Sequence, residues 1–421
     1  MATIVSWRLS QKIAFRFFFI LLGLSTYHCL NLVIERTFGL RNWTPFYKIF
    51  SAPFHWLDQH IFHTGYDPAK HSSNPGDNHF GVVFCLTILL ISVIGTIIWT
   101  ALNRKTADYD KALYWFRVYL RYILGMVLFF YGIIKVIPTQ MPYPNIATLL
   151  TPLGENGRYS LLWNFMGLAP GYMILTGLCE MAAGLLLFSK RTKVLGYLLS
   201  VVVLINVVAL NIFYNVPVKM FSIQLFIYNL FLLAPYLKNL SGYFLFGKTS
   251  SLDEKFYRFK TMWKQKLFVF ALVVIPLVFF GIHSLGVYHF YKNFQSIRKS
   301  EKIYDVSTFI SKDTLPPLVS DTLRWNRLLF SSLYGINNAV ILNMQNEKDY
   351  YNYDIDSIKK TITLHDNPDT LTWHVFHYAY TMLSQYSLTG KWKGQPVQIF
   401  MKSVPIDSLR INKERYNWVN D

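Results

Sequence analysis

Cysteines, acids and cofactor signatures are what this sequence has least of. Its 421 residues include three cysteines, Cys29, Cys85 and Cys179, all inside apolar runs, which excludes a disulfide framework and any CxxC redox or zinc motif. No GxGxxG follows an expected strand, no cysteine cluster could hold iron and sulfur, and no CxxCH could attach haem. The chain therefore lacks the means to be a self-sufficient redox enzyme. Charge of either sign is sparse at 15%, against 52% hydrophobic and 17% aromatic residues, and acids are scarcest: 23 Asp and Glu face 41 Lys and Arg. A net charge of +18 could suit nucleic acid, but the basic residues fall in short segments between apolar runs rather than in one basic domain. Membrane topology explains them better, and a positive mean hydropathy of +0.26 agrees. The composition is that of an integral membrane protein.

Seven runs are long enough to span a bilayer, at about residues 13 to 34, 80 to 102, 116 to 137, 170 to 188, 194 to 214, 217 to 236 and 267 to 288. Arg8, Lys12 and Arg16 flank or enter the first run, which continues for about 20 residues without a small-residue cleavage site and reads as a retained helix. Positive charge clusters at Arg104, Lys105 and Lys111, at Lys190, Arg191 and Lys193, and at Lys238, Lys248, Lys255, Arg258, Lys260, Lys264 and Lys266. The positive-inside rule then places the N-terminus in the cytoplasm and the C-terminus outside.

The first outer loop, residues 35–79, holds His55, His60, His63, His71 and His79 and ends in the turn-rich SSNPGDNHF. His60 and His63 share an i, i+3 spacing, but no cysteine or paired acid completes a ligand set, so no metal site is expected. Residues 289–421 turn polar and strand-like. NNAVILNMQ, KKTITLH, TWHVFHYAYTML and the two runs of YSLTGKWKGQPVQIFMKS around Lys-Gly-Gln-Pro predict an extracytoplasmic antiparallel β domain, a sandwich or partly closed barrel. HFYKNFQSIRKS is its expected tether. Asp321, Arg324, Trp325 and Arg327 in DTLRWNR, and His365 beside Asp366 near His374 and His377, invite an acid/base reading. With no nucleophile or orienting third group, a solvated strand edge is the expectation, and exposed aromatics make the domain a binding surface.

The chemistry of the spans centres on ILTGLCEMAAGLLLF, where Glu180 sits amid apolar residues. An ionisable side chain at the bilayer centre costs roughly 2.5 to 3.5 kcal/mol on insertion scales and calls for a partner. At 1.5 Å per residue from the span midpoints, Tyr131 lies roughly 6 Å and Lys135 roughly 12 Å outward of Glu180, Asn206 and Gln224 roughly 4 Å, and Asn211 roughly 11 Å. Lys219 falls near the outer boundary. Gly177, Glu180 and Gly184 share one helix face, as do Gly125, Gly132 and Lys135, which marks two packing seams that carry these charges inward. The depth offset argues against a direct Glu180 to Lys135 pair, and Asn206, Gln224 and Tyr131 are the closer partners. Glu180 is then either a neutral acid acting as structural glue or the floor of an outward-opening polar pocket with Lys135 nearer its mouth. Lys135 and Lys219 could equally snorkel to headgroups.

The central spans resemble the DoxX family of bacterial membrane proteins. The residues that carry the resemblance are RYILGMVLFFYGIIKVI, with a lysine near the outer end; GLCEMAAGLLLFSKR; LGYLLSVVVLINVVALN; and NIFYNVPVKMFSIQLFIYNLFLLAP. It covers about residues 116 to 236, a four-helix core, with residues 1–115 as an N-terminal transmembrane hairpin and long outer loop, 237–288 as a basic loop and seventh span, and 289–421 as the β domain. Such a resemblance implies a bacterial cytoplasmic (inner) membrane location and Lys135, Glu180 and Asn211 as core polar positions. Some DoxX-like proteins are linked to membrane redox systems, so a quinone or bound lipid is the expected ligand, in the pocket that the depth clustering assigns to Glu180, Lys135, Tyr131, Asn206, Asn211, Gln224 and Lys219. A haem held by His28 and His283 is disfavoured. The alternative is a non-enzymatic envelope or assembly protein whose residues 289–421 bind a partner; a proton relay through Glu180 is weaker, since no inverted repeat is evident.

Overall fold

The structure, a computed structural model, describes residues 7–38, 45–70, 76–104, 106–248, 257, 259, 261–298, 300–312, 314–333, 336–366, 373–381 and 385–413. His71, Lys105, Lys255, Arg258 and Lys260 lie outside the described residues. The chain divides into two compact units: residues 1–142 with 157–288, and residues 143–156 with 289–421.

The first unit is helical. It contains α1 (Leu9–Phe38), α2 (Pro45–Leu57), α3 (His79–Leu102) and α4 (Asp110–Val136); the second unit claims the short α5 (Ile146–Leu149). The first then resumes with α6 (Arg158–Leu168), α7 (Pro170–Phe188), α8 (Lys193–Phe213), α9 (Lys219–Leu233), α10 (Leu237–Phe246) and α11 (Met262–Arg298). Among the described residues, seven helices are long and apolar enough to cross a membrane, starting at Leu9, His79, Asp110, Pro170, Lys193, Lys219 and Met262. The sixth reaches Phe246 rather than about residue 236. Pro235 falls in the first turn of a 3₁₀ segment, Ala234–Tyr236, where a missing N–H costs nothing, so the helix tightens instead of ending. The expected tether is likewise helical, being the last turns of α11.

Helix α4 is the hub. Its apolar window is 72% buried, against 17–44% for the other spans, and Leu120, Leu124 and Val127 on it are fully enclosed. Helix α7 packs on it most closely, because glycines let the backbones touch. A Cβ added at Gly132 would stand 2.7 Å from the Gly177 carbonyl, and one at Gly184 would stand 2.7 Å from the Gly125 carbonyl. The two expected seams are thus one interface. Arg16, first counted among topology signals, is a buried latch: its guanidinium donates to Tyr109 Oη, Thr100 Oγ1 and the Asn103 carbonyl, tying α1 to the α3–α4 connection.

The second unit is a β-barrel built from β1 (Lys302–Ile310), β2 (Trp325–Leu333), β3 (Ile336–Asn343), β4 (Lys348–Asp356), β5 (Thr361–Asp366), β6 (Trp373–Thr381), β7 (Gln385–Trp392) and β8 (Gln395–Val404). Consecutive strands pair antiparallel and β1 pairs with β8, so the sheet closes fully, where the sequence suggested a sandwich or partial barrel. Closure removes every edge. The inward residues, led by Trp325, Trp392, Phe309 and Phe376, fill the interior. The last hairpin turns on Lys393 and Gly394 alone, both at positive φ (46° and 83°), so Gln395 and Pro396 already belong to β8. Residues 143–156, expected within the four-helix core, cover the outside of β1–β3: Ile146 and Ala147 pack on Ile303, Leu329, Val340 and Leu342. Lys348 Nζ donates to the Ala147 carbonyl and to Thr151 Oγ1, satisfying a carbonyl at the end of α5.

Candidate functional site

The glycine seam fixes the register of α4 and α7, and the register decides where the charges meet. With Gly132 opposite Gly177 and Gly125 opposite Gly184, Phe129 is level with Glu180, and Lys135 lies six residues further on, about 9 Å along the axis. Side chains on a helix lean toward its N-terminus. Because the two helices run antiparallel, the leanings of Lys135 and Glu180 converge and their side chains close the gap. Lys135 Nζ donates to Glu180 Oε1 as a buried ion pair, with side-chain exposures of 9% and 4%. This corrects the sequence argument, which measured depth between Cα atoms from assumed midpoints and left out side-chain direction. It also corrects the expected Glu180 contacts with Asn206 and Tyr131, and shows that Lys135 does not snorkel. Glu180 Oε2 is buried with no hydrogen-bond donor among the described residues.

This pair borders a cavity of about 360 Å³. Five of the seven expected residues line it: Lys135, Glu180, Tyr131, Asn206 and Asn211. Glu180 is the one acid and Lys135 the one base among the lining residues; the rest of the wall is largely apolar, from Leu128, Met166, Leu204 and others. Gln140, which the sequence reading passed over, adds a second buried acceptor without a donor, Oε1. It falls just past the end of α4, where a sequence pattern gives no sign of inward direction. Helices α7 and α8 meet closely at Gly196, whose added Cβ would stand 2.8 Å from Leu187. Further along the same pair, the cavity residues Leu175 and Val202 are 57% and 65% exposed. The cavity therefore reaches the surface between these two helices.

The other two expected residues belong elsewhere. Gln224 faces α1, donating to the Ser25 carbonyl at 2.8 Å and to Tyr228 Oη. Lys219 neither lines the cavity nor snorkels: its Nζ lies 3.4 Å from Asp77 Oδ2, and the Asp77 carboxylate accepts the backbone N–H groups of Lys219 and Met220 at 2.7 and 3.0 Å. Asp77 thus caps α9 from the SSNPGDNHF turn, a partner 142 residues away in sequence.

Three histidines between α2 and the start of α3 take backbone partners. His55 Nδ1 bonds the Tyr66 carbonyl, His60 the Trp56 carbonyl and His79 the Thr64 carbonyl. His28 packs tilted against Phe221 and His283 stacks on Phe130, two different aromatic contacts.

No family model matches the chain, and no solved structure matches it. The chain is similar to the uncharacterized protein YwoB of Bacillus subtilis (strain 168), 27% identical over 113 residues, which cover 27% of this chain and 71% of that protein.

In the barrel, DTLRWNR is not a solvated edge. Asp321 Oδ1 accepts from Leu323 N and Arg324 N, the Arg324 guanidinium is buried on the Leu315 and Ser307 carbonyls, and Trp325 is in the core, while Arg327 reaches outward to Asp305. His365 pairs with Asp354 across β4 and β5 at 3.0 Å.

Proposed function

We propose that the helical unit is a DoxX-like membrane module that holds a quinone or lipid-like molecule in the cavity beside Lys135 and Glu180, as a subunit of a membrane redox system. The observation that carries the reading is the combination in one cavity of apolar walls, one buried ion pair and two donorless acceptors, Glu180 Oε2 and Gln140 Oε1. A buried acceptor left unpaired costs about 1–3 kcal/mol, which a ligand hydroxyl or amine would recover. Lys135 and Tyr131 supply donors for a carbonyl or ester oxygen on the same ligand. Apolar volume with a few convergent polar groups is the usual form of a small-molecule site.

The exposed Leu175 and Val202 favour a ligand that arrives from the bilayer, because the opening they mark lies mid-span on a surface that acyl chains would cover. That refines the outward-opening pocket of the sequence reading into a lateral one. A quinone bound here would bring reversible two-electron chemistry; the chain's own part would be to bind it, orient it through Lys135 and Glu180, and keep water from it. The inner membrane, with the lysine-rich ends of the spans in the cytoplasm, is the location this reading requires.

Mass spectrometry of the organic extract of purified protein tests it. A quinone or lipid retained by the natural protein should be lost from folded Glu180→Gln and Lys135→Met variants; equal retention would sink the reading. A second reading, that the barrel docks an envelope protein, is favoured by Trp373 and Val375, which stand outward on β6 at 61% and 46% exposure.

A further inference from the structure

Beyond the Lys135–Glu180 pair and the hydrogen-bonded Arg16 latch, the helical unit buries another charge, and it has no counter-ion among the described residues. Arg121 on α4 is 4% exposed, and no carboxylate pairs with it among the described residues. Its Nε makes no hydrogen bond, and its guanidinium carbon lies 5.5 Å from the Tyr122 ring centroid. A guanidinium stays protonated in proteins, and an isolated buried charge is among the costliest features a fold can carry. An anion is what this position lacks.

A cavity of about 140 Å³ adjoins it, separate from the one beside Glu180 and lined by α4, by Lys190 after α7, and by the start of α11. The polar lining is Arg121, Lys190, Tyr114, Tyr122, Tyr257 and Gln265, and no carboxylate is among the lining residues. The Gln265 amide oxygen accepts from the Phe259 backbone N–H at 3.0 Å, which leaves its NH₂ as the group to offer. The Tyr122 hydroxyl is directed to the Phe188 carbonyl at 3.5 Å. The volume equals roughly that of four or five waters, room for a phosphate but not for a lipid. Outside it, Val269 and Val273 of α11 line the cavity at 49% and 52% exposure, a surface for acyl chains. The position is the lysine-rich end of the bundle, and basic pockets between spans on that side suit anionic headgroups.

We infer that the Arg121 cavity binds a phosphate group, carried by an anionic phospholipid or by a soluble phosphate. It is independent of the Glu180 cavity, so either assignment can fail alone.

The test uses the full chain in phosphatidylcholine nanodiscs, titrated with phosphatidylglycerol in one arm and inorganic phosphate in the other, with bound molecules counted by native mass spectrometry. Removing a charge-assisted contact from so enclosed a site should weaken binding by about tenfold or more in Arg121→Gln. Arg191→Gln, an exposed basic residue nearby, should change it by less than about twofold. Should Arg121→Gln fail to fold, Arg121→Lys keeps a cation without the bidentate fork and should bind several-fold more weakly than the natural protein. Phosphatidylglycerol retained against millimolar inorganic phosphate assigns a lipid; displacement by inorganic phosphate assigns a soluble ligand. Binding in both arms that is unaltered by either Arg121 substitution overturns the site.

Discussion

Breaking the Lys135–Glu180 pair from each side should give unequal costs, and the inequality follows from the contacts. Glu180→Gln keeps an oxygen where Oε1 accepts from Lys135, so the hydrogen bond survives and the counter-charge does not. Removing one partner of a buried pair costs about 3–5 kcal/mol, and this variant should fall near the lower end. Lys135→Met is worse. It strips the one donor from a carboxylate whose other oxygen already has none, and about 4–5 kcal/mol is expected. The double variant Lys135→Met with Glu180→Leu removes both charges, leaves no group unpaired, and should return to within about 1 kcal/mol of the natural protein or exceed it. The assay is reversible unfolding in mixed micelles by added dodecyl sulfate, followed by the helical circular dichroism signal, with the Glu180→Leu single variant added so that it, Lys135→Met, their double and the natural protein form a double-mutant cycle. A coupling of about 6 kcal/mol or more, the amount by which the double falls short of the sum of the singles, is the expectation. Single variants each within about 0.5 kcal/mol of the natural protein would refute the reasoning, since an interaction that small belongs to an exposed pair. So would a double variant whose cost equals the sum of the singles.

The glycine seam predicts a sharp positional effect: Gly177→Ala places a Cβ 2.7 Å from the Gly132 carbonyl and from Lys135 Cβ and should destabilise by about 1–3 kcal/mol, whereas Gly171→Ala in the same helix meets nothing within 4 Å and should be neutral in the same micelle titration. Asp77→Ala removes the cap of α9 and should cost about 1–2 kcal/mol, read as faster hydrogen exchange at Lys219 and Met220. Lys348→Met should release residues 143–156 from the barrel, seen as faster protease cleavage there. Burial holds the Glu301 carboxyl above its ordinary value, against the Ser331 hydrogen bond and the Arg298 charge. The folded state therefore retains a proton that the unfolded chain gives up near pH 4.3 (about the ordinary Glu value), and barrel stability should fall as pH rises through the weakly acidic range above it. Glu301→Gln should flatten that fall in pulse proteolysis of the full chain; equal slopes would remove Glu301 as its cause.

What could be read from the sequence was whatever depends on period and length. Seven helices long and apolar enough to span, the alternating strands after residue 300 and the shared faces of Gly177 with Glu180 and Gly132 with Lys135 are all local patterns, and each is present among the described residues. What could not be read depends on direction and on partners distant in sequence. The pair of Lys135 with Glu180 turns on two side chains leaning toward each other from helices offset by about 9 Å, and a ladder of Cα depths contains no such term. Lys219 and Gln224 sit at plausible depths, yet a helix has a full circle of directions. Lys219 is claimed by Asp77 and Gln224 by α1, and nothing in the periodicity of α9 distinguishes these faces from the cavity face. Arg121 shows the same limit from the other side. In the sequence it is one more basic residue on a positive-rich chain, and it becomes a candidate only when the packing encloses it and no acid lines the cavity beside it among the described residues. In an apolar helical bundle the chemistry therefore resides in what each polar group is denied as much as in what it touches. Glu180 Oε2, Gln140 Oε1 and Arg121 Nε are the three denied groups that border the two cavities.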